Sequence, residues 1–225
     1  MRLSVCVLYS DNENLVRWRK ALPIKNVQMI ALKTTHDSEI TEPIFEEIGV
    51  TPNLVALQWK YNDFEEQFDF SYLRNKCDEY AQGDWILHID SDEYLTTPHS
   101  DLWAFLDALD DTDAVAGYVT IYGLQNREQE IRLRYAFQNM RLHRRSAGLK
   151  WSGICHETLD GDAHKHTFAD TDVMIYHEGY MIDSEAYKAK CVRNCKLLIR
   201  EYRRNKNQRN WDYLINTFSS IKQGK

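Results

Sequence analysis

Proline and glycine are scarce in this 225-residue chain, with 4 and 9 residues, and neither gathers into a run. That excludes a collagen-like repeat and a Pro/Gly-rich linker, and no internal repeat or low-complexity tract is present. Cysteine is thin as well. The five residues Cys6, Cys77, Cys155, Cys191 and Cys195 form no CxxC pair, which excludes a disulfide scaffold and predicts free thiols in a reducing, cytoplasmic setting. No apolar run approaches the roughly 18 residues that cross a bilayer, so any membrane contact is expected to be peripheral. The opening residues, Met1-Arg2 and then Leu3 to Tyr9, are too short for the apolar segment of a leader and read as a first strand. GxSxG, Walker A, GxGxxG and HExxH are missing, which removes the usual local signals of serine hydrolases, P-loop kinases, dinucleotide oxidoreductases and zinc peptidases.

The chain is 43% hydrophobic and 28% charged, with a formal charge of −6, in the range of ordinary globular proteins. Its charge is unevenly placed. Residues 186–225 carry +9, leaving −15 on the first 185. A division at residue 183 follows, into a body (1–183) and a basic helical extension (184–225). The basic face fits a polyanion, an anionic membrane face or simply solvent.

Strand and helix signals alternate along the body. Leu3 to Tyr9, Val27 to Leu32 and Asn53 to Trp59 read as strands, with helices expected over Asn14 to Leu22 and Thr41 to Ile48. From Ser71 the pattern is helical, with Leu73, Cys77 and Tyr80 on one face and Gly83 placed as a C-terminal cap. Trp85 to Ile89 is a nearly all-apolar strand that ends abruptly in Asp90-Ser91-Asp92-Glu93. A helix over Ser100 to Leu109, a strand over Val115 to Tyr122, a polar turn over Gln125 to Glu130 and strands over Arg132 to Leu142 and Ile175 to His177 follow. The last forty residues read as two helices, with Leu197, Leu198, Tyr202, Trp211, Tyr213 and Phe218 as their apolar positions. The class expected is α/β, a doubly wound, largely parallel sheet flanked by helices, which binds its ligands beyond the carboxyl ends of its strands.

Carboxylates at such a strand end are placed for chemistry more than for stability. Asp90 and Asp92 offer hard oxygen ligands suited to Mg²⁺ or Mn²⁺ bound together with a substrate's phosphates. His156-Glu157 and His177-Glu178 each set an imidazole beside a carboxylate able to act as a base. A zinc alternative at His164, His166 and Cys155 is set aside, because HxH in a polar loop is more often solvated. Cys191 and Cys195, one helical turn apart, read as small core residues.

Four segments together resemble a family 2 glycosyltransferase of the bacterial and phage type with an "HE" motif and a helical extension. They are Leu3 to Leu15, Asp69 to Asn75, Tyr80 to Glu93 and Leu149 to Glu157, in matching order and spacing across about residues 3 to 200. The resemblance implies a GT-A fold, a nucleoside-diphosphate-sugar donor, a Mn²⁺ or Mg²⁺ ion on the diphosphate and inverting displacement onto a hydroxyl. By position it makes Asp92 a metal ligand, Asp90 a contact to the ribose or to the metal's water, and His177 the histidine that completes the metal site. It further assigns Tyr9, Asp11, Asn12 and Glu13 to the nucleotide, Asp37, Ser91, Trp151 and His156 to the donor site, Arg74 and Asn75 to the diphosphate region, and Glu157 to the role of base. One departure stands out. Leu32 occupies the place of the family's base-reading Asp, leaving base recognition to Asp11, Glu13 or the backbone. The residues also admit a nucleotidyltransferase on a related sheet and a non-catalytic nucleotide- or sugar-binding module. The acceptor is open between protein, glycan, cell-wall polymer and modified nucleic acid, and a homodimer contact through the extension is open too.

Overall fold

Every residue of Leu3–Tyr9 is buried, and the side chains alternate between two apolar layers, as a strand covered on both faces requires. This strand is β1. The computed structural model describes residues 2–10, 12–22, 26–34, 54–58, 69–127, 130–160, 167–179, 181 and 184–223. After β1 come α1 (Asn12–Ala21), β2 (Gln28–Lys33), β3 (Leu54–Gln58), α2 (Phe70–Tyr80), β4 (Trp85–Asp90), β5 (Glu93–Leu95), α3 (His99–Asp110), β6 (Ala114–Arg127) and β7 (Glu130–Arg144). Then follow β8 (Lys150–Ser152), β9 (Thr158–Asp160), β10 (Thr167–His177), α4 (Ser184–Arg204) and α5 (Gln208–Gln223).

Eight strands form one mixed sheet in the order β3-β2-β1-β4-β7-β6-β10-β5. The β3-β2, β2-β1, β1-β4 and β10-β6 pairs are parallel, whereas β4-β7, β7-β6 and β10-β5 are antiparallel. The doubly wound expectation therefore holds for β1 to β4 and gives way to a hairpin beyond them. Because β7 runs against both neighbours, β6 and β10 point the same way as β4. The carboxyl ends of β1, β4 and β10 thus share one edge.

One layer packs Leu3, Val5, Val7, Trp85, Leu87 and Ile89 against Leu15 and Trp18 of α1 and Leu102, Leu106 and Leu109 of α3. The other packs Cys6, Leu8, Ile30, Leu32 and Ile86 beneath Leu73 and Cys77 of α2. Each of the larger apolar side chains contributes about 1.5–3 kcal/mol by this burial. Helix α2 starts where Asp69 accepts hydrogen bonds from the Tyr72 amide at 3.0 Å and the Ser71 hydroxyl at 2.8 Å, a cap worth about 1 kcal/mol.

Several expectations are corrected here. The buried face of α2 is Leu73, Arg74 and Cys77, and Tyr80 is exposed, because the helix lies over charged groups of β4. The helix is capped at Ala81, not at Gly83; at Gly83 a Cβ would overlap the Leu3–Ser4 backbone, so glycine allows a close approach there. The Gln125 to Glu130 turn is mostly strand: β6 continues to Arg127 and pairs with Glu130, since cross-strand partners outweigh local polarity. The helix over Thr41 to Ile48 lies outside the described residues. All five cysteines are buried free thiols. Among the described residues no helix is long and apolar enough to cross a membrane.

Candidate active site

The strand ends deliver a layered set of charges. Asp90 closes β4, and its backbone N–H donates to Glu93 Oε2 at 2.8 Å, so the chain folds back directly into β5. Arg74 of α2 donates through Nη2 to Asp90 Oδ1 at 2.8 Å and through Nε to Glu157 Oε1 at 2.6 Å. Arg141 of β7 approaches Asp90 Oδ2 at 3.4 Å and Glu93 Oε1 at 3.2 Å. Asp90 is thus held on both oxygens by guanidinium groups. Burial would raise its carboxyl, but Arg74 and Arg141 outweigh burial and hold it far below the usual range. Glu157 is lowered on the same balance, burial opposed chiefly by Arg74. In Glu93 burial wins, and the carboxyl is pushed up.

Asp92 stands apart from this ion network and meets β10. The Glu178 amide donates to the Asp92 carbonyl at 2.8 Å, and His177 pairs with Glu93 in the β10–β5 register. His177 Nε2 consequently lies 3.4 Å from Asp92 Oδ2, while its Nδ1 is 2.9 Å from the Tyr135 hydroxyl. Two glycines make the geometry possible. A Cβ at Gly123 would overlap the Tyr135 ring, and one at Gly179 would overlap His177 Nε2 and Asp92 Oδ2. The Lys190 ammonium donates to the Gly179 carbonyl at 3.2 Å. Burial lowers His177, but its hydrogen bond to Asp92 and that group's charge prevail, so the imidazole is raised; Asp92 is correspondingly lowered despite its own burial.

The segment carrying Glu157 is held from outside the sheet. Glu201 Oε2 of α4 accepts from the Ile154 amide at 3.0 Å, and the Phe70 amide donates to the Ile154 carbonyl at 3.2 Å. His156 takes a left-handed backbone (φ 58°) and stacks its ring on Tyr213 of α5, centroids 4.4 Å apart, while Arg209 donates to its carbonyl at 2.5 Å. A non-glycine residue in that conformation costs about 1–3 kcal/mol and persists only where its surroundings impose it. Ile154 and Cys155 form a small apolar cluster with Leu197 and Leu198 of α4.

Of the residues expected from sequence, Arg74, Asp90, Asp92, Glu157 and His177 come together, and Ser91 is buried in the turn between Asp90 and Asp92. The others lie in the surrounding elements. Tyr9 is fully buried at the end of β1, Leu32 is interior beneath α2, and Trp151 lies under the site, its ring 5.1 Å from the Arg74 guanidinium. Asn75 spends both side-chain polar groups on the Trp151 backbone, at 2.9 Å each, which fixes β8 against α2. His156 stacks on Tyr213 of α5. Asn12 opens α1, and Glu13 is exposed in its first turn. Asp11, Asp37, His164 and His166 lie outside the described residues. Glu93 belongs to the acidic run read from the sequence, whereas Arg141, Tyr135, Lys190 and Glu201 were missed, because they are far away in sequence.

No protein-family model matches the chain, and no curated protein sequence matches it. Among solved structures the fold is similar to S. aureus TarS 1-349 in complex with UDP-GlcNAc, at 14% identity, covering 100% of this chain and 81% of that one, with a TM-score of 0.51. It is also similar to the mannosyltransferase PcManGT from Pyrobaculum calidifontis in complex with GDP-Man and Mn²⁺, at 10% identity, covering 98% and 69%, with a TM-score of 0.54. Against two further TarS structures the chain spans 65% and 39% of their lengths. At these identities the likeness is one of fold: a mixed α/β molecule with a mostly parallel central sheet, as in these glycosyltransferase structures.

Proposed function

We propose that the chain is a GT-A glycosyltransferase that moves a sugar from a nucleoside-diphosphate sugar to an acceptor hydroxyl, with inversion and with a divalent cation. The observation that carries this reading is the meeting of His177 and Asp92, 85 positions apart in sequence, at the carboxyl edge of the sheet. The fold is shared with structures holding UDP-GlcNAc and GDP-Man with Mn²⁺, which supports the donor class.

The residues fit a cation. Gly179 leaves open the space in front of His177 Nε2 and Asp92 Oδ2 that a Cβ would fill. Around that space four carboxylates, Asp90, Asp92, Glu93 and Glu157, face two guanidinium groups and the Lys190 ammonium, which leaves one negative charge in excess for a divalent ion. An imidazole with a carboxylate favours Mn²⁺ over Mg²⁺. When bound, such an ion offsets the charge that develops on the leaving diphosphate.

The chain's own residues do the rest. Asp92 and His177 would hold the ion, and Tyr135 fixes the His177 ring by occupying Nδ1. Glu157, kept ionised by Arg74, takes the proton from the acceptor hydroxyl as its oxygen forms the new bond to the anomeric carbon and the bond to the diphosphate breaks. Asp90, locked between Arg74 and Arg141, positions the first of these guanidinium groups and through it Glu157. The extension (184–225) belongs to this machinery because α4 and α5 hold the Glu157 segment. Free thiols suit a reducing, cytoplasmic setting.

The test is donor hydrolysis and transfer across UDP- and GDP-sugars, with Mn²⁺ or with chelator. Asp92→Asn should lower turnover by about 10² or more with circular dichroism unchanged, and Glu157→Gln should lower transfer by about 10²–10⁴ while donor still binds. Full activity in chelator would end the cation assignment. Pyrophosphate release from a nucleoside triphosphate would replace the reading with a nucleotidyltransferase.

A further inference from the structure

A second cluster of ligating side chains lies beneath α2, in the layer that the proposed reaction does not use. Cys6 of β1, Asp78 of α2 and His88 of β4 each bring a ligand atom to within 4.8 Å of the other two. Cys6 and His88 are register partners on adjacent parallel strands, so the backbone sets them side by side, and α2 lowers Asp78 onto them. His143 of β7 stands next to the cluster, its Nε2 3.5 Å from Asp78 Oδ2. Cys6 and His88 are fully buried, and the Asp78 and His143 side chains are 8% and 2% exposed.

The hydrogen bonding is incomplete in a particular way. His88 Nε2 and Asp78 Oδ1 are 2.7 Å apart, which satisfies one atom of each. Asp78 Oδ2, His88 Nδ1 and both ring nitrogens of His143 have no hydrogen-bond partner among the described residues. A buried polar atom left unsatisfied costs about 1–3 kcal/mol, so several in one place call for a ligand. A neutral imidazole keeps a proton on one nitrogen and a lone pair on the other; with His88 Nε2 donating to Asp78, its Nδ1 lone pair is left, and together with one nitrogen of His143, Asp78 Oδ2 and the adjoining Cys6 thiol it offers donors to a cation.

We infer that Cys6, Asp78 and His88 form a zinc site, with His143 as the fourth group within reach. Sulfur, nitrogen and oxygen donors together select a borderline-soft ion and disfavour Mg²⁺ and Mn²⁺, which prefer oxygen. Binding releases the Cys6 thiol proton to solvent, and thiolate and carboxylate together balance the two positive charges. The ion would tie α2, and with it Arg74, to β1 and β4.

The experiment uses the full chain, stripped with chelator, held in a thiol-free reductant and given one equivalent of Co²⁺. A thiolate-to-cobalt charge-transfer band should appear in the near ultraviolet and vanish when equimolar Zn²⁺ is added. Cys6→Ser should abolish the band, Cys195→Ser should retain it, and His88→Gln should weaken Zn²⁺ binding by about 10-fold or more. Absence of the band in the unmodified chain, which needs no variant to fold, overturns the proposal and leaves a cluster bridged by water. Persistence of the band in Cys6→Ser overturns it equally. Because Asp92 and His177 offer no sulfur, the band does not report on that pair, and the Cys6→Ser arm ties it to Cys6. Its failure leaves the transferase reading standing, and loss of transfer in Asp92→Asn leaves the band in place.

Discussion

The sheet edge and the helical extension carry opposite charge and hold it in opposite ways. At the edge Arg74, Glu93 and Arg141 are buried, and each faces opposite charge at 2.6–3.4 Å. In the extension Arg203, Arg204 and Lys206 are exposed, and contact with the body comes through an apolar cluster and a few hydrogen bonds. A charge removed from the edge strands its partner in a low-dielectric interior, whereas one removed from the extension leaves its surroundings in water. The same kind of substitution should therefore have effects of very different size in the two regions.

The largest effect is expected at Arg74. Arg74→Met keeps the apolar length of the side chain but leaves Glu157 without its hydrogen-bonded partner and Asp90 with Arg141 alone, which should cost about 3–5 kcal/mol of stability in urea unfolding at neutral pH. The pH dependence sharpens the test. In the native protein both carboxyls lie below their ordinary values, so their stabilisation is complete above the unfolded-state value of about 4 and is lost as pH falls through the lower native values. In the variant burial would raise Glu157 instead, folding would take up protons, and the deficit should shrink from pH 7 towards pH 5. A deficit below about 1 kcal/mol, or one independent of pH, would remove the contrast between the regions.

This contrast also explains what the sequence could reveal. The strand Trp85–Asp90 with its acidic terminus was legible because an apolar run and its abrupt end are local features. The pairing of Asp92 with His177 was suggested by family resemblance, and spacing alone does not give it, because it depends on β10 adding to the sheet parallel to β6. Arg141 was invisible among the several arginines of β7: only strand register selects which of them points at Asp90. The hold of the Asn75 amide on both backbone groups of Trp151 is equally hidden, since it joins α2 to β8 across 76 positions. Trp211 and Phe218 are apolar positions at helical spacing, yet they are exposed, since α5 turns Tyr213 and Leu214 to the body. Periodicity fixes that a helix has an apolar face, and tertiary contacts decide how much of it is covered.

A smaller effect is expected where the two regions touch. Tyr213→Ala removes the ring on which His156 stacks and should loosen the left-handed turn before Glu157, lowering kcat about 10-fold with little change in donor KM. Tyr213→Phe keeps the stacking surface and should restore the rate. Trp211→Ala, on the exposed side of the same helix, provides the comparison and should leave kcat unchanged. Equal losses in Tyr213→Ala and Trp211→Ala would mean that α5 acts as bulk support, with no specific hold on the Glu157 segment.

The smallest effect is expected from the exposed charges of the extension. Arg203 and Arg204 sit in the last turn of α4, where a positive charge favours the helix dipole by about 0.3–1 kcal/mol at low salt, and both are solvated. Arg203→Gln combined with Arg204→Gln should therefore change stability by no more than about 1 kcal/mol and leave donor hydrolysis without acceptor unchanged, because neither residue reaches the held segment. Transfer to acceptor measured across a range of salt is the informative arm. If transfer by the double variant falls and loses salt dependence relative to the unmodified chain, the +9 of residues 186–225 reads an anionic acceptor. If transfer and its salt profile are both unchanged, these charges serve solvation and the helix terminus, and the part of the extension that matters for the site is the contact made by Glu201, Arg209 and Tyr213. The contacts seen in the structure favour the second result, since every polar link from the extension to the Glu157 segment is made by a residue other than these two arginines.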